Sequence, residues 1–120
     1  MRVLVVDGAN VVGCVPDGWW RDRVGAAAGL HAGLLSADLS YDLVVLVLEG
    51  KARAGVPEGE AAGVVTVHAP GSGDDEIVAR CRHHSELGDE VTVVSADRGL
   101  LSRLVPYGVM ALGDIVKTCG

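Results

Sequence analysis

Four aspartates stand where chemistry is possible: Asp7, the adjacent Asp74 and Asp75, and Asp97. A carboxylate offers only oxygen, and several in one place raise each other's pKa unless cations neutralise them. Oxygen ligands of this kind suit Mg2+ or Mn2+, which keep waters and a substrate phosphate in their remaining positions. Such a site lowers the pKa of a bound water and stabilises charge on a phosphodiester oxygen during in-line attack. Taken singly, each Asp is equally an ordinary helix cap, since Asp and Ser side chains accept hydrogen bonds from the first free N–H groups of a helix. Only convergence separates the two readings, and convergence depends on the elements that carry the residues.

Val3 to Val6 is a short, wholly apolar, β-branched run that ends at Asp7 and is followed by the turn-prone Gly8-Ala9-Asn10. Leu43 to Leu48 is a second such run, closed by Glu49 and Gly50; Val64 to His68 reads as a third strand and Val91 to Ser95 as a fourth. Continuous apolar runs of this length predict strands covered on both faces. Between them, after a turn at Pro16-Asp17-Gly18, Trp19 to about Leu35 has helical spacing weakened by Gly25, Gly29 and Gly33. Asp74 to Leu87 places Ile77, Val78, Cys81 and His84 on one helical face, with Gly88 as its cap. Arg98 to about Val105 predicts a short helix, Val109 to Leu112 a fifth strand and Asp114 to Thr118 a last helical turn. Lys51 to Gly63 lacks apolar periodicity, contains Pro57 and is read as a mobile loop.

Strands alternating with helices predict a three-layer α/β sandwich around a five-stranded parallel sheet with right-handed crossovers. Ligands of such sheets bind beyond the carboxyl ends of the strands, near the point where strand order reverses. The first four strands then deliver Asp7, Glu49, Asp74 with Asp75, and Asp97 to one edge. Glu49 either faces the pocket or begins a solvated loop, and the sequence leaves both open.

The 120 residues fit one domain, residues 1–120, and carry a formal charge of −6. That charge argues against a protein that holds nucleic acid by a broad basic face, but not against a nuclease, because bound cations restore charge where carboxylates remove it. Hydrophobic residues make up 49% and aromatics 3%, so Val, Leu, Ile and Ala must build the core. Three scattered cysteines, Cys14, Cys81 and Cys119, do not form a disulfide framework and point to a reducing cytoplasm. The apolar start is too short for a signal peptide, and no run is long enough to span a bilayer.

Three motifs carry a resemblance. Val5-Val6-Asp7-Gly8-Ala9-Asn10, Gly71-Ser72-Gly73-Asp74-Asp75 and Val94-Ser95-Ala96-Asp97-Arg98 together resemble the PIN-like NYN nucleases, particularly the YacP-like branch, in the right order over nearly the whole chain. The resemblance implies strand order 3-2-1-4-5 and metal-dependent RNA cleavage, with catalytic positions falling on Asp7, Asn10, Asp74, Asp75 and Asp97. Asp7, Asp74, Asp75 and Asp97 would hold the metal, and Asn10 would orient a scissile phosphate or a water. Two departures are Glu49, where many relatives end the second strand in Asp, and a single acid in the strand-four motif.

Around the site, Ser95, Arg98, Arg21 and Lys51 are candidate substrate contacts, with Arg23 and Arg53 nearby. Solvated surface charge is the ordinary alternative, and Arg98, next to Asp97, is the strongest of them. Trp19 or Trp20 could stack on an unpaired base, although a helix start packs such residues more often. Cys81, His83 and His84 fit no standard zinc spacing, so Cys81 and His84 are read as core-facing and His83 as exposed. Gly71-Ser72-Gly73 lacks a Walker lysine, and no nucleophile elbow is present.

The expected activity is a divalent-metal-dependent endoribonuclease using a metal-activated water, with single-stranded RNA as partner and no membrane association. Two alternatives remain beside it: a hydrolase of nucleotides or other small phosphates, and a catalytically weak RNA-binding or ribosome-associated module.

Overall fold

The apolar runs become the interior of a six-stranded sheet. The computed structural model describes residues 1–13, 21–110, 112, 114 and 115. The Pro16-Asp17-Gly18 turn, Trp19, Trp20, Cys14, Cys119 and the end of the last helical turn lie outside the described residues. The strands are β1 (Arg2–Asp7), β2 (Leu43–Leu48), β3 (Gly59–Ala61), β4 (Val64–His68), β5 (Glu90–Val94) and β6 (Gly108–Met110). The helices are α1 (Gly8–Gly13), α2 (Arg23–Ser36), α3 (Gly73–Glu86) and α4 (Arg98–Ser102), with a 3-10 helix at Gly50–Gly55.

The sheet order is β3-β4-β2-β1-β5-β6. Within it β4-β2-β1-β5-β6 are parallel, in the order the resemblance implies, but β3 runs antiparallel to β4. The purely parallel five-stranded sheet is therefore corrected to a mixed six-stranded one. The mobile loop expected over Lys51 to Gly63 is corrected with it, since that segment holds the 3-10 helix and β3. Ala62 and Gly63 both take positive φ, 49° and 83°, and these left-handed conformations close a two-residue hairpin between β3 and β4. Gly8 opens α1 immediately after Asp7 rather than a turn. A Cβ on Gly8 would stand 2.7 Å from the Val47 carbonyl oxygen, so only glycine lets the chain bend into a helix flush against β2.

Strand side chains alternate between faces. Val3, Val5, Val45, Val47, Val91 and Val93 pack on the side of Ile77, Val78 and Cys81 from α3 and Leu100 from α4. Leu4, Val6, Leu46, Leu48 and Val94 pack on the opposite side with Val11, Ala27 and Leu34 from α1 and α2. The alternation has a consequence at the strand ends. Continued along each strand, Asp7, Glu49 and Ser95 all fall on the α3 side, where the N-terminus of α3 brings Asp74. Among the described residues no helix is long and apolar enough to cross a membrane.

Candidate active site

The order reverses between β1 and β5, and there two sequence motifs are tied together. Asp7 is 5% exposed, and its Oδ2 accepts a hydrogen bond from the Ser95 hydroxyl at 2.8 Å. Its Oδ1 accepts the Asn10 backbone N–H at 3.3 Å, so the carboxylate also serves the first turn of α1. Ser95 Oγ in turn accepts the Asp97 N–H at 3.1 Å. Asn10 Oδ1 accepts the Ala96 N–H at 3.0 Å, which orients the carboxamide and leaves its NH2 as a donor. Ser95 is thus the hinge of the site: one hydroxyl both holds Asp7 and shapes the turn that presents Asp97.

Capping and site chemistry divide between the remaining acids. Asp97 is the N-cap of α4, with Oδ1 accepting the Leu100 N–H at 3.0 Å. The cap of α3 is Ser72, whose Oγ accepts the Asp74 N–H at 3.2 Å, so Asp74 is released from capping. Glu49 faces the pocket, where its Oε2 accepts the Gly73 N–H at 3.1 Å. Asp75 turns outward to Arg103, Oδ1 to Nη2 at 3.0 Å, with its side chain 75% exposed.

The electrostatics report the crowding. Burial pushes the Asp7 carboxyl above its ordinary value, and the charges of Asp74 and Glu49 push the same way, against the Ser95 and Asn10 hydrogen bonds. Asp74 is also raised, first by burial and then by Asp97 and Glu49, with Arg103 opposing. Asp7 therefore senses Asp74 and Glu49, and Asp74 senses Asp97, Glu49 and, least of these, Asp75, which is paired with Arg103. The site is all oxygen and negatively charged, which suits a hard divalent cation in donor type. The Asp74 carboxylate and Asp97 Oδ2 have no hydrogen-bond partner among the described residues. Yet among those residues no three His, Cys, Asp or Glu side chains converge closely enough to enclose an ion. The fit is that of an open set of ligands in which waters and a substrate phosphate would complete the shell.

Beside the cluster, on the α1 and α2 side of the sheet, lies a cleft of about 370 Å³ that shares Glu49 with it. Val12, Ala27 and Leu48 form its apolar lining, and Arg23 contributes a cation.

The basic residues expected around the site differ in setting, and of them Arg23 lines the cleft. Arg98 is exposed and makes no ion pair among the described residues, although it begins α4 beside Asp97. Lys51 is exposed on the 3-10 helix, and Arg21 is exposed just ahead of α2. Arg53 instead braces the 3-10 helix, donating to the Gly50 and Ala69 carbonyls at 3.1 and 3.3 Å. Arg103 is the basic residue sequence reasoning missed, because it lies past α4 and outside every motif. Glu49 could have been assigned by counting: alternation along β2 puts position 49 on the face of Val45 and Val47. Away from the site, Cys81 is buried and its thiol is pushed up to about 12 by burial. His84 pairs with Asp89 and His83 is exposed, so these residues form no zinc knuckle.

The fold is similar to that of Rae1 (YacP) from Bacillus subtilis. A crystal structure of a mutant of that protein matches with a TM-score of 0.68 at 13% sequence identity, covering 99% of this chain and 75% of that one. No family model matches the chain, and no curated protein matches it by sequence.

Proposed function

We propose that the chain is a PIN-like, NYN-type nuclease of the YacP-like branch that hydrolyses RNA phosphodiester bonds with Mg2+ or Mn2+. The observation that carries this is the tie between the first-strand and fourth-strand motifs: Ser95 to Asp7, Ser95 to Asp97, and Asn10 to Ala96. The three sequence motifs of the resemblance meet at one edge, and the fold is similar to that of a YacP protein. Asp7, Asp74 and Asp97 would hold the cation, with Glu49 rather than Asp75 beside them. A bound divalent cation supplies Lewis-acid stabilisation of the phosphate and lowers the pKa of water at the site.

The chain's own groups do the rest. Ser95 and the Asn10 N–H fix the Asp7 carboxylate in one orientation and favour its charged form against burial. The Asn10 NH2, set by its bond to Ala96, donates toward a phosphate oxygen. Asp74 and Asp97 supply carboxylate oxygens, and the repulsion that raises Asp74 would be relieved by an arriving cation.

The test is labelled single-stranded RNA incubated with the protein in Mn2+ or in EDTA, repeated with Asp97→Asn. Cutting in Mn2+ that disappears in EDTA and in Asp97→Asn is the expected result. Metal-independent cutting, or cutting untouched by Asp97→Asn, would sink the site. Turnover of nucleoside triphosphates without RNA cleavage would move the assignment to a nucleotide hydrolase. A second reading, an RNA- or ribosome-binding module of weak activity, is favoured by one observation: the described acids do not close around an ion. RNA binding without cleavage under any metal would establish it.

A further inference from the structure

The cleft beside Glu49 is a feature of the site that hydrolytic chemistry leaves without a role. Its volume of about 370 Å³ is that of a small-molecule site, for which ~300–1,000 Å³ is typical. The exposed Gly50 and Gly71 are among its lining residues, so a flat group can approach backbone atoms there that larger side chains would shield. A Cβ at Gly50 or Gly71 would meet nothing within 4 Å, so both positions open onto free space. Val12 and Ala52, both partly exposed, offer apolar contact to a planar ring, with the buried Ala27 and Leu48 beneath them, and Arg23 adds a cation. Glu49 joins cleft and cluster: it lines the one, and its charge is felt by Asp7 and Asp74 in the other.

We infer that this cleft seats one unpaired nucleobase next to the phosphate held at the carboxylate edge. The inference rests on the assignment of that edge to phosphodiester chemistry. A group that is flat, mostly apolar on its faces and polar at its rim matches the cleft, and its attachment to a phosphate matches the neighbouring acids. A base inside a duplex has its edge paired and its faces stacked, so it cannot enter. Selection of single-stranded RNA then follows from the shape of the cleft, with no basic groove needed, consistent with a chain of formal charge −6.

The experiment reads binding rather than turnover. Amide spectra of the wild-type chain in Ca2+, a diamagnetic oxygen-seeking cation that neutralises the carboxylates, are recorded with a short single-stranded oligoribonucleotide, the same oligomer carrying abasic residues, and the duplex. The expected result is shifts at Gly8, Gly50 and Gly71 with the single strand, and none with the abasic oligomer or the duplex. Gly71→Leu, which adds bulk at a lining position with room for a side chain, should weaken binding about tenfold, the scale of one lost base contact. Gly29→Leu, on α2 where a Cβ also meets nothing, should leave binding unchanged. Equal shifts with the abasic oligomer, no shift at these glycines, or equal binding by Gly71→Leu would each overturn the inference. Cleavage of the same RNA in Mn2+ is scored separately: cleavage without cleft shifts removes the base site and leaves the nuclease, and cleft shifts without cleavage do the reverse.

Discussion

At the carboxyl edge of the sheet acids repel one another even where they accept hydrogen bonds; at the amino edge Asp42 and Asp89 meet donors. Asp42 Oδ2 accepts the Arg2 backbone N–H at 2.7 Å, and Asp89 accepts from His84 Nδ1 and from the Met1 ammonium, both at 3.0 Å. Asp89 is held below the usual carboxylate range, first by its hydrogen bond to His84 and then by the Met1 ammonium. Asp7 is held above that range by burial and by neighbouring acids. One sheet thus moves the same side chain in opposite directions at its two ends. Asp89 gains from the folded state, whereas Asp7 and Asp74 are charged there at a cost, a perturbation of the kind that clusters at functional sites.

The largest expected effect comes from removing one charge at each edge without changing shape. Asp97→Asn keeps an N-cap, since Asn and Asp cap equally well, so stability should change by less than ~0.5 kcal/mol. RNA cleavage in Mn2+ should nevertheless fall on the order of 100-fold or more, the scale of losing a transition-state electrostatic contact. Asp89→Asn should do the opposite, lowering the urea midpoint at neutral pH and leaving the cleavage rate unchanged. A loss of cleavage in Asp89→Asn, or an unfolded Asp97→Asn, would break the division between the edges.

The two edges should also separate by pH. The folded pKa of Asp7 and of Asp74 is raised, so the fold binds protons more readily than the unfolded chain there. Their cost is absent below the ordinary value of 3.8, grows as pH rises from 3.8 through the raised pKa values, and is constant above them. Asp89 is lowered, so its contribution is full above 3.8 and is lost as pH falls below 3.8 through its folded pKa. Urea midpoints of the metal-free chain should therefore fall with rising pH above 3.8 by an amount that Asp7→Asn reduces. Asp89→Asn should flatten only the limb below 3.8. Mn2+ should raise the midpoint at neutral pH in the wild type and less in Asp97→Asn.

What the sequence disclosed divides along the same physical lines. Strands β1, β2, β4 and β5 were legible because short β-branched, mainly apolar runs have few other folds open to them, and the acids after them were legible as strand ends. β3 was not, because Gly59-Glu60-Ala61 has no period-two pattern and its turn, Ala62-Gly63, lacks the Asn or Asp that usually marks left-handed positions. α1 was hidden because Asp-Gly-Ala-Asn reads as a turn; the contact of Gly8 with Val47 that makes it a helix start is tertiary. Asp74 and Asp75 could not be told apart in sequence. Only the register of α3, with Ser72 as cap, aims Asp74 at the cluster and Asp75 at Arg103.

That register sets the smallest and most discriminating prediction. Arg103 draws Asp75 outward and lowers Asp74 against its other neighbours, so it tunes the cluster from outside. The pair is exposed, and exposed ion pairs contribute only ~0–1 kcal/mol, so Arg103→Ala should leave stability nearly unchanged. With the guanidinium gone, Asp74 should be harder to ionise, and the acid limb of the rate–pH profile should move to higher pH with its plateau within about threefold of wild type, well short of tenfold per 1.4 kcal/mol. Asp75→Asn removes the pair from the other side but leaves the Arg103 cation near Asp74, and it removes a repelling charge as well. Its profile should therefore move to lower pH. Opposite shifts from the two halves of one ion pair would assign Asp74 to the cluster and Asp75 to its periphery. Shifts in the same direction, or a loss of rate in Asp75→Asn as deep as in Asp97→Asn, would return Asp75 to the site.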